Sequence, residues 1–219
     1  MAKSKFLSLE DFSISLDQEL IWRRKEISDL RQAIRDCAST SQNSLIRAFV
    51  PLSYAHWEGF VISVAKMYFS FITTRRLKYS ELEKHFMRLT FLKRLDALSQ
   101  SKSSLDGKLK LLLEIDRARE LRFSSVSPDI IDSGSNLNTD QTRQICTVCG
   151  ISADFLSGHE DFLDVELLKR RNQIAHGEWA TIGADQVDSL SDGVLDLMTM
   201  FRNEIENAIV GETYRAKQA

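Results

Sequence analysis

The sequence predicts an all-α protein, an up-and-down helical bundle, and three observations carry that reading. Its 219 residues hold only 2 prolines and 9 glycines, and a sheet protein needs many more tight turns than these can make. Apolar residues recur at steps of three and four along most of the chain, the spacing of one helix face. No segment shows the period-two alternation of a half-buried strand. The length suits one domain with a full core. A single domain over 1–219 is expected, with its core in residues 8–210 and a flexible C-terminal tail at 211–219.

The first helix is marked by Leu9, Phe12, Leu16, Leu20, Ile27, Leu30, Ile34 and Cys37, spaced by threes and fours with one step of seven. They form one apolar face, and Arg23, Arg24, Lys25 and Glu26 lie within the pattern. The Ser- and Thr-rich run 39–44 offers N-caps for a second helix over residues 44–76. Pro51 lies inside it and should kink it or shift its start. Because this helix is apolar almost all round, it should be the central one.

Ser80-Glu81-Leu82-Glu83 matches a capping box and should start a third helix ending near Ser99. A fourth should run from Asp106 to Phe123, with Leu109, Leu112, Leu113 and Ile115 as its apolar face. Residues 124–138, rich in Ser, Pro, Asp, Gly and Asn, read as the one long loop. Thr139 should cap a short helix that ends at Gly150. The next helix spans residues 160–176, with Phe162, Val165 and Leu168 on its apolar face, and stops at Gly177, a natural left-handed residue. A last helix over 184–209 places Val187, Leu190, Val194, Leu197, Phe201 and Ile205 at clean three–four spacing.

Composition narrows the function classes. Hydrophobic residues make up 43% and charged residues 27%, the balance of an ordinary soluble globular protein. The net charge of −2 announces no global field for nucleic acid. Locally, Arg75 to Arg122 holds thirteen Lys or Arg against seven Asp or Glu, while Ser127 to Leu167 holds eight acidic residues against Arg143 alone. Such a basic middle either attracts a polyanion or forms solvated helix faces. The most apolar stretch, Ala48 to Ile72, carries His56, Glu58 and Lys66, so it reads as a core helix and no membrane partner is expected. Met-Ala-Lys-Ser-Lys-Phe leads into an amphipathic pattern without an apolar h-region, so no signal peptide is expected. Three cysteines, an odd number, argue for a reducing compartment, and the cytoplasm is the expected location.

The chemistry concentrates in Arg170-Arg171-Asn172-Gln173-Ile174-Ala175-His176-Gly177. Arg171 and His176 are five residues apart, which on an ideal helix separates them by about 140°. They are poorly placed to grip one small ligand, and suit a site built across a two-fold axis with each helix end supplying its pair. A histidine titrating near neutrality can move protons at a ribose 2′-hydroxyl or a leaving 5′-oxygen. A guanidinium can brace charge growing on a phosphoryl group. Asn172 can orient either the histidine or the phosphate, and Arg170 is a further accessory candidate. With seventeen arginines and four histidines, chance supplies roughly 0.3 such spacings, so the bare spacing is weak.

The longer string Arg171-Asn172-Gln173-Ile174-Ala175-His176-Gly177-Glu178 resembles the motif of the HEPN superfamily. Tyr54-Ala55-His56-Trp57-Glu58-Gly59-Phe60 resembles an aromatic-Glu-Gly motif of a bacterial branch of that superfamily. Ser135-Asn136-Leu137-Asn138 and Phe201-Arg202-Asn203-Glu204-Ile205 resemble the same branch. Together these cover most of residues 16–210. The resemblance implies a four-helix core with additional short helices. It also implies a homodimer bringing two Arg–His motifs into one cleft, and metal-independent cleavage of RNA that leaves a 2′,3′-cyclic phosphate. By position it makes Arg171 and His176 catalytic and Asn172 accessory. It implies RNA as partner, transfer or messenger, and a toxin or effector role with a cognate antitoxin or defence-system partner. Some superfamily members bind without cutting, so a non-catalytic dimerisation module that binds RNA or a nucleotide is the alternative.

Other candidates carry two readings each. Glu58, in a very apolar helix, needs a partner. It either supports the Arg–His cleft, for instance by pairing with Arg171, or holds the bundle together. His56 reads as a structural histidine. Cys146-Thr147-Val148-Cys149 is a CxxC, but zinc needs two more ligands and His159 is the only one nearby. The cysteines read better as small hydrophobes, and neither a metal nor another cofactor is expected. A regulated interaction protein using these thiols is the third reading. Trp22, Trp57 and Trp179 read as core or interface residues, and Trp179, just after the motif, can alternatively stack a base.

Overall fold

A computed structural model describes residues 8–37, 39–100, 105–124, 131 and 136–217. Helix α1 (Leu9–Asp36) opens with a reciprocal cap: Ser8 Oγ accepts the Asp11 amide at 3.0 Å and Asp11 Oδ2 accepts the Ser8 amide at 3.1 Å. Phe12, Leu16, Leu20, Ile27 and Ile34 are buried as the spacing requires. The step of seven between Leu20 and Ile27 is filled by Arg23. Its guanidinium is buried against the Trp22 and Phe60 rings and paired with Glu19. The facing residue on the next helix is Gly59, where an added Cβ would stand 3.4 Å from Arg23 Nη2.

Helix α2 (Ser39–Thr74) starts ahead of the expected position and carries Pro51 inside it. Trp57, Phe60, Val61, Val64, Ala65, Tyr68 and Ile72 are fully buried, so this is the central helix. It packs on α1, on α7 (Gln186–Val210) and on the helix holding the Arg–His segment, which together make the four-helix core. All six apolar positions expected on α7 are buried. Arg31–Asp192, Arg35–Asp188 and Arg202–Asp17 ion pairs join α1 to α7 along its length.

Several expectations are corrected between these helices. Ser80 does not cap a helix. Residues Tyr79–Glu81 form a 3₁₀ turn in which Glu81 Oε2 accepts the Lys78 amide at 2.7 Å, and helix α3 spans Lys84–Gln100. Helix α4 is Leu105–Ala118, ending before Phe123, and it buries Leu111 and Ala118 against Phe91, with Ile115 half-buried beside them. Leu109, Leu112 and Leu113, the expected face, are exposed. Within the loop expected at 124–138, residues 125–130 and 132–135 lie outside the described residues; Ile131 and Leu137 are buried. Helix α5 (Thr139–Cys149) is capped by Asn138, not Thr139, through the Gln141 amide at 2.8 Å. Of the tail expected over 211–219, residues 218–219 lie outside the described residues. Tyr214 is buried, its carbonyl accepts the Glu83 amide, and the Ala216 amide donates to Glu81.

The Arg–His segment belongs to a composite helix. Phe162–Lys169 is π-helical and runs directly into α6 (Arg170–Ala175). The wider winding changes which residues face inward: Leu163, Leu167 and Leu168 are buried, while Val165 is exposed. Phe162 seats against α7 at Gly193, where a Cβ would come within 2.5 Å of its ring. Among the described residues, no helix is long and apolar enough to cross a membrane, and the only β-type pairings are isolated bridges.

Candidate active site

The segment 136–138 enters α5 tied to its surroundings by several hydrogen bonds. Asn138 caps the helix, and Asp164, from the π-helical segment, accepts the Thr139 amide at 2.8 Å. Leu137 is buried, and its amide donates to the Tyr54 hydroxyl. Tyr54 stands on the face of α2 that meets α6, one turn before Glu58, whose carboxylate acts on its hydroxyl. Burial, then the Glu58 charge, pushes the Tyr54 phenol up to about 12, against the opposing pull of the Leu137 amide and Arg171, so it stays protonated.

Arg171 closes this assembly. Its guanidinium carbon lies 4.7 Å from the Tyr54 ring centroid, and Nη1 donates to Asn172 Oδ1 at 2.7 Å and Asn136 Oδ1 at 3.2 Å. Two amide oxygens and an aromatic face therefore orient a half-buried arginine, with no carboxylate in those contacts to cancel its charge. Asn172 braces the arginine rather than the histidine. Glu58 reaches the site through Tyr54. Arg170 turns to Glu166, at 2.5 Å along the same helix.

His176 ends α6 in a complete Schellman turn. The Gly177 amide donates to Ile174 O at 3.1 Å and the Glu178 amide to Gln173 O at 2.8 Å, with Gly177 at φ +77°. The imidazole is exposed and has no side-chain partner among the described residues. No contact joins it to Arg171: one is packed against α2, the other presented at the helix end. Trp179 follows at 82% exposure, against the core reading, and Trp22 is also exposed, whereas Trp57 is fully buried. Arg47, on α2, donates to Glu178 O at 3.0 Å and Ala180 O at 3.4 Å, bracketing Trp179.

Residue types alone did not mark Tyr54, Asn136 or Arg47. Tyr54 and Asn136 lie inside the strings that resemble the HEPN branch, which is the signal that points to them. Arg47 has no local signal at all.

The sequence model of the RiboL-PSP-HEPN family matches residues 18–207, most of the chain. The chain belongs to this HEPN family. No curated protein and no solved structure matches it. Three of the segments that resemble HEPN motifs, dispersed in sequence, converge in space: 54–58 from α2, 136–138 before α5, and 171–172 on α6 meet through Tyr54 and Arg171. The fourth, 201–205, acts in the fold, with Phe201 and Ile205 in the core and Arg202 tied to Asp17 and Glu206.

Two other candidates fall outside this cluster. His56 is buried, 3.0 Å from Glu26, with burial the main cause holding its pKa below the usual histidine value. Cys146 and Cys149 are buried, and burial pushes the Cys146 thiol up to about 12 and the Cys149 thiol well above its ordinary value. They fill core positions as thiols. A cavity of about 750 Å³ lies between α3, α4 and the C-terminal segment, lined by Met87, Phe91 and Ile115 among others, and contains none of the site residues.

Proposed function

We propose that this HEPN protein is a metal-independent endoribonuclease whose active site is completed by a second copy of the chain. The observation that carries the reading is the division of labour on α6. Arg171 is oriented by two amide oxygens and the Tyr54 ring, and His176 is held out on a Schellman turn with its ring exposed. An oriented guanidinium stabilises charge growing on a phosphoryl group. A free imidazole can take the proton of a ribose 2′-hydroxyl as that oxygen attacks phosphorus. The 5′-oxygen leaves with a proton from an imidazolium, and a 2′,3′-cyclic phosphate remains. Two His176 rings, one from each protomer, would let base and acid be separate groups.

The expected biological setting is a toxin or effector of a toxin–antitoxin or defence system, acting on transfer or messenger RNA in the cytoplasm. The test incubates the protein with total RNA in EDTA and maps product ends. Discrete fragments with cyclic-phosphate ends are expected, lost in His176→Ala while the oligomeric state is kept. Equal cleavage by His176→Ala would overturn the proposal.

A second reading, a HEPN module that binds RNA or a nucleotide without turnover, draws on one observation. Arg171 Nη1 is already engaged by two side chains of its own protomer. Binding without product, and without a growth defect on expression, would select it.

A further inference from the structure

Trp179 is the most exposed of the large apolar side chains described, yet its position is fixed from several directions. Beyond it, exposure alternates: Ala180 and Ile182 are buried at 9% and 7%, while Trp179 and Thr181 face outward. The indole Nε1–H donates to Thr181 Oγ1 at 3.1 Å. Arg47 grips the carbonyls on either side of Trp179, and its guanidinium carbon lies 5.6 Å from the ring centroid, within cation–π range. Upstream, the Schellman turn fixes the chain at Glu178. Leaving a tryptophan in water forgoes the burial that usually stabilises it. Here the polar edge of the ring is satisfied and its broad surface is open.

We propose that Trp179, held by Arg47, is a nucleobase platform beside His176, stacking a base of the RNA strand whose backbone enters the Arg–His site. This rests on the reading of the protein as an RNA-cleaving enzyme. Three residues of chain span at most about 11 Å, so ring and imidazole serve neighbouring nucleotides. Stacking tolerates any base because every base has a π face, and the arginine strengthens it. A protein partner is the weaker fit. Interface hot spots sit within apolar surroundings, whereas the exposed residues flanking Trp179 in its segment are His176, Gly177, Glu178 and Thr181. Glu178 is the one acidic group among them.

The experiment measures binding of a fluorescein-labelled single-stranded RNA in the His176→Ala background, and cleavage kinetics with His176 intact, at one fixed salt concentration. Trp179→Ala should raise Kd and KM by about ten- to a hundredfold with kcat little changed, and Trp179→Phe should recover most of the loss. RNA should quench tryptophan emission, and Trp179→Phe should remove that quench. Unchanged Kd and KM in Trp179→Ala overturn the platform, as does a loss that sedimentation traces to a dissociated dimer, which makes the ring a protein interface. If the wild type cleaves and Trp179→Ala cleaves with the same KM, the platform falls and the nuclease stands. If binding depends on Trp179 but no product forms, the nuclease falls and the platform stands. A wild type that neither binds nor cuts RNA overturns both.

Discussion

The Arg171 guanidinium rests 4.7 Å from the centroid of the Tyr54 ring, and the hydroxyl of that same ring accepts the Leu137 amide. One tyrosine thereby joins the central helix to the 136–138 segment on one side and to the Arg–His helix on the other. Its ring and its hydroxyl do separate jobs, so they can be removed separately.

Tyr54→Phe keeps the ring beneath Arg171 but leaves a buried amide without its acceptor. The expected loss of stability is about 1–3 kcal/mol, read from urea denaturation. Cleavage should fall less than in Tyr54→Leu, which also removes the aromatic face. Equal activity of the two variants would show that the cation–π contact does not orient Arg171.

Arg171→Lys retains the charge and loses the planar fork that reaches Asn136 and Asn172. Both oxygens are now served by the one nitrogen Nη1, so a lysine ammonium has donors enough for them, but it has no flat face to lay on Tyr54. RNA cleavage should drop by about a hundredfold or more, while the thermal midpoint moves little because the site is only half-buried. Wild-type rates in Arg171→Lys would reduce the guanidinium to a structural strut.

Two glycines separate backbone strain from steric fit. Gly177 has φ +77° and nothing within 4 Å of an added Cβ, so Gly177→Ala should cost about 1–2 kcal/mol through conformation alone. Gly150, at φ +68°, closes α5 in the same kind of turn, but its Cβ would meet His85 Cε1 at 2.4 Å, so Gly150→Ala should cost more. Urea midpoints rank the two. Cleavage should fall in Gly177→Ala, which loosens the turn carrying His176, and stay near wild type in folded Gly150→Ala.

Much of this arrangement was legible from residue spacing, and the failures have physical causes. On α1 and α7 most apolar residues recur on one face, so periodicity named most buried positions and the gap that Arg23 fills, although Leu9, Ile14, Ile21 and Trp22 of α1 are exposed. In α4 the run Leu109 to Leu113 puts leucines on several faces at once, so spacing could not choose, and packing against Phe91 selected Leu111, Ile115 and Ala118. The π-helical winding of Phe162–Lys169, whose Phe162 seats against Gly193, leaves no local mark in the spacing. At the site, Arg171, Asn172 and His176 were visible because they are neighbours in sequence. Arg47 was not, because its partners are backbone carbonyls of a distant segment, and any arginine on any helix looks the same until the chain folds.

Thiol chemistry gives an independent check on the core assignment of the CxxC pair. Cys37, at the end of α1, is half-buried, while Cys146 and Cys149 are buried with their thiolates disfavoured by desolvation. In the native protein a disulfide reagent at neutral pH should titrate one thiol readily, and all three after denaturation. Rapid native loss of Cys146 or Cys149 in Cys37→Ser would place the pair at an accessible surface.

Acid should weaken the fold through one buried and one half-buried histidine. His56 and His85 both have pKa values held below the usual 6.5, in each case first by burial. Around His56, Glu26 opposes the shift and Arg23 adds to it; around His85, Glu83 opposes it and Arg88 adds to it. The unfolded chain therefore takes up these protons before the folded one does. Their contribution is fully present above pH 6.5 and is lost as pH falls through the depressed folded values. Urea midpoints should stay level from pH 8 to 7 and decline below about pH 6.5. The double variant His56→Gln, His85→Gln, less stable at pH 7.5 or not, should show a flatter decline over that window, since glutamine takes up no proton. An identical slope in the double variant would move the acid sensitivity to carboxylates elsewhere in the bundle.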